Sequence, residues 1–362
     1  VMPSNLNRLS KIAKFLTNNI LSSDITLQDF HTKALADYGI NDCWPEAVLK
    51  EAKAKKGNIS KEKDVLETFP FVTIDGEDAK DFDDAIFCDF SDNGFHLKVA
   101  IADVSFYVKE SSALDLEAAK RTTSVYMPKK VVPMLPEKLS NELCSLQPNK
   151  RRRCLCIEMD FDKDGYIRSY KFHRGIIKSV ARLTYTEVEN QIINGVKDTD
   201  YAESLKAAIA LFNKLLINKG YRGALDFTIS EPFIQTNSNG DIKHIDDRKR
   251  LNSHKLIEEF MLAANISAAD FISQYAKEGV YRIHEHPESL KIQRLSQILK
   301  NRGINWNGNI EDIENISEFI LKLNKRDDAP ILNMLILQSM QRAEYSTLNK
   351  GHFGLKLSLI HI

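Results

Sequence analysis

The sequence predicts an α+β fold in which a sheet-rich first half is followed by a helical second half. Between residue 66 and about residue 175, short apolar runs alternate like strands and are separated by turn signals such as Asp92-Asn93-Gly94. Past residue 175, apolar residues recur at helical spacing, as they do in 201–219, 254–274 and 288–345. The helix over 201–219 is expected to end at Gly220, and a strand is expected to start at Arg222. Strands and helices are therefore segregated along the chain rather than alternating.

Composition limits the classes of function that the chain can have. The 362 residues carry 50 basic and 50 acidic side chains, and 43% of them are hydrophobic, which is ample for a core. A balanced charge excludes a protein that binds nucleic acid through a uniformly basic surface, so any such binding has to use local patches. No run approaches 18 apolar residues, and we expect a cytoplasmic protein that does not associate with membranes.

The five cysteines do not form a disulfide or zinc pattern. Their number is odd and no two of them are spaced as CxxC. Cys154 and Cys156 point to the same face of a predicted strand, and we interpret both as core residues.

The first chemically informative stretch is Phe71–Phe87, FVTIDGEDAKDFDDAIF. An apolar run predicts a buried strand that ends at Asp75, and Asp81, Asp83 and Asp84 follow before the next apolar run. Repulsion among carboxylates confined between two buried strands is relieved by raised pKa values, by basic partners or by a divalent cation. Oxygen ligands suit Mg²⁺ or Mn²⁺. The alternative is an exposed acidic loop without a ligand.

Several strings of this sequence carry a family resemblance. They are TIDGEDAKDFDDAI (73–86), VAIADVSFYV (99–108), TTSVYMPKKVVPMLPEKLSNELCSL (122–146), ARLTYTEV (181–188), HKLIEEFMLAANISAA (254–269) and GHFGL (351–355). In this order they resemble the catalytic (RNB) domain of the ribonuclease II superfamily, and their sequences are most similar to its ribonuclease R branch. The resemblance covers roughly residues 65–357.

The resemblance implies a Mg²⁺-dependent exoribonuclease that degrades single-stranded RNA from its 3′ end and releases nucleoside 5′-monophosphates. It implies a metal site formed by Asp75, Asp81, Asp83 and Asp84, with Mn²⁺ as a possible substitute for Mg²⁺. Asp83 and Asp84 are also assigned to catalysis.

Further catalytic residues follow from the same resemblance. Tyr185 is expected at the scissile phosphate, and one glutamate of the helix that contains Glu258 and Glu259 is expected at the catalytic centre. The two glutamates are about 100° apart around a helix axis, so only one of them can easily face a given site. The sequence does not decide between them.

RNA contacts are expected from two aromatic and several basic residues. The resemblance implies that Tyr126 and Phe227 stack on bases near the 3′ end, and stacking tolerates any base. Both aromatics could instead pack in the protein. The basic runs that contain Arg151 and Arg152, and Lys249 and Arg250, are candidates for phosphate contacts or, alternatively, solvated faces.

Three other patterns receive structural interpretations. Asp103 lies in a buried run, and we expect it to be hydrogen-bonded and structural. Asp160-x-Asp162-x-Asp164-Gly165 imitates a calcium loop, but Lys171 stands where the bidentate glutamate belongs, so a β-hairpin turn is predicted. His284-Glu285-His286-Pro287 lacks the HExxH spacing of a zinc enzyme and is predicted to be a loop.

The domain prediction places a helical, Lys-rich lead-in at 1–65, with helices expected for LNRLSKIAKFL and TLQDFHTKALADYG, and a catalytic domain at 66–362. After Gly351–Leu355 the family continues into a segment with an arginine pair, whereas this chain reads Lys356-Leu357-Ser358 and ends four residues later. We therefore expect a C-terminally truncated catalytic domain, acting as a monomer. The alternative is an inactive fragment that only binds single-stranded RNA.

Overall fold

The computed structural model describes residues 27–57, 59, 64–225, 227, 231–237, 242–248, 250–276, 278–306 and 313–357. The chain divides into two compact units. The first contains the described residues of 1–54, 109–137 and 232–248, and the second contains those of 55–108, 138–231 and 249–362.

Most of the strands lie before residue 185, and most of the helices lie after it. The strands are β1 (Val72–Asp75), β2 (Asp84–Ser91), β3 (Gly94–Ala102), β4 (Val125–Met127), β5 (Lys130–Val132), β6 (Arg151–Asp162), β7 (Ile167–Lys178), β8 (Ala181–Thr184), β9 (Glu231–Thr236), β10 (Ile242–Arg248), β11 (Tyr281–Ile283) and β12 (Glu344–Ser346). The α-helices are α1 (Leu27–Asp37), α2 (Glu46–Ala54), α3 (Val104–Tyr107), α4 (Ala113–Arg121), α5 (Tyr185–Asn194), α6 (Ala202–Arg222), α7 (Asn252–Tyr275), α8 (Ser289–Asn301), α9 (Ile313–Leu323) and α10 (Ala329–Ser339). The predicted α+β class is confirmed.

A six-stranded sheet organises the second unit, in the order β7-β6-β3-β2-β1-β8. Its neighbours pair antiparallel except β1 and β8, which run parallel with Asp75 opposite Thr184. The predicted hairpin after Asp92-Asn93 is present between β2 and β3, where Ser91 pairs with Gly94. The predicted hairpin turn at Asp162–Gly165 joins β6 and β7 and is stabilised by Asp162 Oδ1, which accepts from the amides of Asp164 and Tyr166.

The main core lies between this sheet and helices α6 and α7. Inward residues of the strands pack against apolar faces that the sequence predicted for both helices: Leu205, Ala208, Phe212 and Leu215 on α6, and Leu256, Ile257 and Phe260 on α7. Cys154 and Cys156 are buried, as predicted, and so are Cys88 and Cys144, whereas Cys43 is exposed.

The end of α6 differs from the prediction. The helix continues through Gly220 to Arg222 and ends at Gly223, whose left-handed φ of 69° suits glycine. The strand predicted to start at Arg222 is therefore wrong. Tertiary contacts of Lys219 and Arg222 with Glu259 on α7 hold this last turn helical.

A smaller core is formed by α8, α9 and α10, together with Leu225 and Phe353. These three helices confirm helix formation within 288–345, whereas the end of that range forms strand β12 (Glu344–Ser346) instead. His284 follows β11 in a loop, as predicted, and its Nδ1 accepts a hydrogen bond from the amide of Gly354.

The first unit is built on α2, α4 and the β4–β5 hairpin. The carboxylate of Glu51 accepts from the amide of Leu114 at 3.0 Å, and the guanidinium of Arg121 lies 3.5 Å from the centre of the Trp44 ring. Helix α1 confirms the helix predicted for TLQDFHTKALADYG, whereas the one predicted for LNRLSKIAKFL lies outside the described residues. None of the helices described here is both long and apolar enough to cross a bilayer.

Candidate active site

The four predicted acids gather at one edge of the six-stranded sheet. Asp75 is the last residue of β1 and Asp84 is the first residue of β2. Because β1 and β2 are antiparallel, with Val72 opposite Ile86, the end of one strand and the start of the next lie at the same edge. Asp81 and Asp83 belong to the loop that joins them.

Two of these acids, Asp83 and Asp84, have raised pKa values to which the charges of the neighbouring acids contribute. Burial, followed by repulsion from Asp81 and Asp75, raises the pKa of Asp83 to about 6. Burial, followed by repulsion from Asp75 and Asp83, raises the pKa of Asp84 to about 7. The Oδ2 atom of Asp84 is buried and has no hydrogen-bond partner in the described part of the chain. A buried, unpartnered carboxylate oxygen among other acids fits a site for a hard divalent cation.

Tyr185 lies at the same edge. It is the first residue of α5 and directly follows Thr184, the residue paired with Asp75. Thr184 caps the helix: its hydroxyl accepts from the amide of Glu187 at 3.1 Å, and the Glu187 carboxylate accepts from the amide of Thr184 at 2.7 Å. The parallel pairing of β1 with β8 and the capping box of α5 therefore fix the position of Tyr185.

A histidine that the sequence reading did not single out holds the Tyr185 ring. The imidazole of His254, on α7, stacks on the phenol with the ring centres 4.0 Å apart and the planes 16° from parallel. The hydroxyl of Ser253 also donates to the carbonyl of Tyr185 at 2.7 Å. The first turn of α7 thus positions the tyrosine. His254 opens the string HKLIEEF, so its place in that string was the available signal.

Arg182 is a second residue that the sequence reading missed. Its Nη2 donates to the carbonyl oxygens of Gly76 and Glu77, both at 2.6 Å. Thr186 donates to the Glu77 carboxylate at 2.6 Å, which lowers the pKa of that acid. These bonds fix the start of the acidic loop to β8 and α5.

The structure distinguishes the two glutamates of α7. Glu259 is 3% exposed and forms an ion pair with the buried Lys219 at 3.0 Å. Glu258 is half-exposed, lies 3.6 Å from the same ammonium group and pairs with Arg250. Because Glu258 follows His254 by four residues, it shares the helix face that stacks on Tyr185. Glu258 is the better candidate for the site.

The two predicted stacking aromatics have different surroundings. Phe227 packs against the smaller core and is half-buried. Tyr126 belongs to the first unit, where it lies on the β4–β5 hairpin opposite Val131 and is 67% exposed. Stacking of either ring on RNA stays a prediction.

The predicted basic contacts are partly occupied within the protein. Arg151 donates two hydrogen bonds, at 2.7 and 2.6 Å, to the carboxylate of Glu67, and Arg152 donates to the carbonyl of Ser145 at 2.9 Å. These bonds favour a structural role for both arginines. Arg250 pairs with Glu258, and Lys249 lies outside the described residues.

Asp103 is structural, as predicted. It is buried and caps α3 by accepting from the amide of Phe106 at 3.2 Å and from the hydroxyl of Ser105 at 2.8 Å.

Comparison with known protein families identifies the chain. The model of the RNB domain matches residues 63–359, which is most of the sequence and includes all the site residues above. The chain belongs to the RNB domain family. The residues that the structure brings to the sheet edge are therefore residues of an RNB domain.

Curated relatives of this RNB domain include ribonuclease R of Escherichia coli strain K12, which is 40% identical over 335 residues, covering 90% of this chain and 41% of the relative. Ribonuclease R of Thermotoga maritima is 40% identical over 326 residues, covering 86% of this chain and 45% of the relative. The chain thus spans less than half the length of these two relatives.

Solved structures agree with the fold. Mycoplasma genitalium RNase R in complex with ribose methylated single-stranded RNA superposes with a TM-score of 0.85 at 29% identity, covering 90% of this RNB chain and 52% of that one. Yeast Ssd1, described as a pseudonuclease, has the same fold with a TM-score of 0.66 at 21% identity.

Proposed function

We propose that this RNB-family chain hydrolyses single-stranded RNA stepwise from the 3′ end and releases nucleoside 5′-monophosphates. The observation that carries the proposal is the Asp84 carboxylate, whose buried Oδ2 atom has no hydrogen-bond partner among the described residues and which lies near Asp75 and Asp83. A protein that only binds RNA has no need of such a costly arrangement. Membership of the RNB domain family, together with the similarity to ribonuclease R, supports RNA as the substrate class.

The acid set suits one or two Mg²⁺ ions, with Mn²⁺ as a substitute. Asp75, Asp81, Asp83 and Asp84 supply the hard oxygen ligands that these ions prefer. When bound, the ion supplies positive charge that stabilises the developing charge on the phosphate and activates water. Its positive charge would also offset the burial and the mutual repulsion that raise the pKa values of Asp83 and Asp84.

The other site residues orient the reactants. In the proposed reaction a water oxygen attaches to the terminal phosphorus and the water loses a proton. The bond from that phosphorus to the 3′ oxygen of the preceding nucleotide breaks, and this oxygen takes up a proton to become the new 3′ hydroxyl. Tyr185, held by its stack on His254, directs its hydroxyl at a phosphate oxygen, and Glu258 orients the water. Tyr126 and Phe227 each stack on an RNA base, and Arg250, paired with Glu258, adds positive charge for the RNA backbone.

The test is the cleavage of a 5′-labelled single-stranded RNA in Mg²⁺. Wild-type protein should produce a ladder that shortens from the 3′ end, and Asp84→Asn should abolish it. Asp92→Asn changes an exposed acid in the β2–β3 turn and should leave the ladder unchanged. A shift in electrophoretic mobility without shortening would establish the alternative, a fragment that only binds RNA. Turnover of small phosphodiesters without RNA shortening would indicate a different phosphoesterase.

A further inference from the structure

Three side chains of the types that bind transition metals meet on strands β6 and β7. Cys156 and Glu158 are two residues apart on β6 and therefore point to the same face of the sheet. His173 on β7 is the direct cross-strand partner of Cys156. One ligand atom from each of the three side chains lies within 4.8 Å of the others. Strand β3 separates this cluster from the acids on β1 and β2.

The polar groups of this cluster are not satisfied by one another. The Nε2 atom of His173 is buried and makes no hydrogen bond within the described residues, and its distance to Oε1 of Glu158 is 3.7 Å. The Cys156 side chain is fully buried below them, and burial raises the pKa of its thiol to about 12. A buried ring nitrogen without a partner costs free energy unless a ligand binds it.

A neighbouring cation neutralises the carboxylate of the cluster. The ammonium group of Lys98, on β3, lies 2.7 Å from Oε1 of Glu158 and 4.6 Å from the centre of the Phe69 ring. The lysine thus supplies the positive charge beside Glu158 that a bound metal dication would otherwise supply. An ion that binds here has to displace the ammonium group from the glutamate.

We propose that Cys156, Glu158 and His173 bind a transition-metal dication of the zinc type, at a site distinct from the acid set. A thiolate, an imidazole and a carboxylate form the donor set typical of Zn²⁺, whereas Mg²⁺ prefers oxygen ligands alone. Three protein ligands leave a fourth position for water. On binding, the sulfur–metal bond forms, the sulfur–hydrogen bond breaks, and the proton passes to solvent.

The geometry gives the ion a route to the site and a structural effect. Glu158 and His173 are 30% and 27% exposed, so an ion approaches between them and meets the thiol beneath. Because the ligands come from both β6 and β7, the bound ion would cross-link the two longest strands of the sheet. It would thus stabilise the hairpin independently of RNA.

The test is titration with Co²⁺, which reports thiolate ligation through a sulfur-to-metal charge-transfer band. The parent protein should carry Cys43→Ser, because Cys43 is exposed and could bind Co²⁺ on its own. The band should appear in this parent, disappear in Cys156→Ser and in the partly exposed His173→Asn, and persist in Asp84→Asn. Zn²⁺ should abolish it, and excess Mg²⁺ should not.

Replacement of the competing lysine gives an independent readout. Lys98→Met removes the ammonium group from Glu158 and should tighten Co²⁺ binding by about tenfold, because a like charge no longer opposes the ion. A band that persists in both Cys156→Ser and His173→Asn would place the metal elsewhere and overturn the proposal. So would a folded parent protein that shows no band at millimolar Co²⁺, or a Lys98→Met variant that binds more weakly.

Discussion

At the scale of single residues, the acid set stores electrostatic free energy that the fold has to offset. Asp84 has an ordinary pKa of 3.8 when unfolded and a pKa of about 7 when folded, so the folded state holds its proton more tightly. A carboxyl group with a raised folded pKa stabilises the fold when protonated and destabilises it when ionised. For the metal-free protein, this contribution to stability is therefore lost as the pH rises from about 4 to above 7.

The first prediction is that Asp84→Asn stabilises the metal-free protein at high pH. The shift of Asp84 from 3.8 to about 7 corresponds to about 4 kcal/mol at most. We expect a gain of about 2–4 kcal/mol at pH 8 that shrinks toward zero at pH 4, because the amide cannot ionise. Urea unfolding in a chelator at several pH values measures it, with Asp92→Asn as the control that should show no such trend. A difference from wild type that does not grow with pH would contradict the argument.

The second prediction separates the two glutamates of α7. Glu259→Gln leaves the buried Lys219 without its closest carboxylate, so the free energy of unfolding should fall by about 3 kcal/mol. Glu258→Gln changes a half-exposed pair and should cost less than about 1 kcal/mol. Because Glu258 shares the face of His254, its substitution should instead reduce the rate of RNA shortening. Urea unfolding measures the stability of the two variants, and single-turnover cleavage measures their activity. If Glu259→Gln stayed fully folded but inactive while Glu258→Gln stayed active, Glu259 would be the catalytic glutamate instead.

At the scale of elements, the β2–β3 hairpin depends on one glycine. Gly94 has a φ of 149°, and a Cβ atom at this position would lie 2.2 Å from the carbonyl oxygen of Phe161 on β6. Neither backbone can move away without breaking the ladder between β3 and β6. The residue that ends the turn therefore also sets the spacing of the central strands.

The third prediction follows from this contact. Gly94→Ala should lower the free energy of unfolding by about 3 kcal/mol or more, because strained φ and backbone overlap act together. The matched control is Gly220→Ala, in helix α6, where a Cβ atom meets nothing within 4 Å. There we expect a gain of up to about 1 kcal/mol from helix propensity. Thermal or urea unfolding of the two variants compares them directly, and equal stabilities would show that the close approach is relieved cheaply.

The elements also show what sequence reasoning can and cannot find. The β2–β3 turn and the apolar faces of α6 and α7 follow from local patterns, and all three were predicted. The end of α6 was predicted too early in the chain. The ion pair of Lys219 with Glu259 joins two different helices, so the local sequence does not reveal it.

Sequence reasoning likewise found some residues of the site and missed others. Its acids lie close together in the chain, so their grouping at one sheet edge could be predicted from a strand end and a turn. The parallel pairing of β1 with β8, which brings Tyr185 to that edge, joins segments more than a hundred residues apart. The ring of His254 and the cluster of Cys156 with His173 likewise depend on register across strands or between helices. Spacing along the chain carries no signal for such contacts.

At the scale of the whole molecule, the balanced formal charge hides a concentrated negative centre. The chain has 50 acidic and 50 basic side chains, yet Asp75 and Asp84 lie at one edge of the central sheet and Asp81 and Asp83 lie in the loop that joins their strands. An ion that binds only the folded state stabilises it by mass action. Because β1 and β2 belong to the central sheet, this stabilisation should appear in the unfolding of the second unit as a whole.

The fourth prediction is that Mg²⁺ raises the unfolding temperature through the acid set. At about a hundredfold excess over its dissociation constant, the ion should add about 2.7 kcal/mol to the free energy of unfolding. KCl at equal ionic strength controls for screening, and Asp84→Asn should lose most of the shift although it is more stable without metal. Cys156→Ser should retain the Mg²⁺ shift while losing any shift caused by Zn²⁺. Equal shifts in Mg²⁺ and KCl, or an undiminished shift in Asp84→Asn, would show that the four acids do not bind the ion. Screening by dissolved salt weakens repulsion at the same ionic strength with either salt, whereas binding at the acid set requires Mg²⁺ and Asp84.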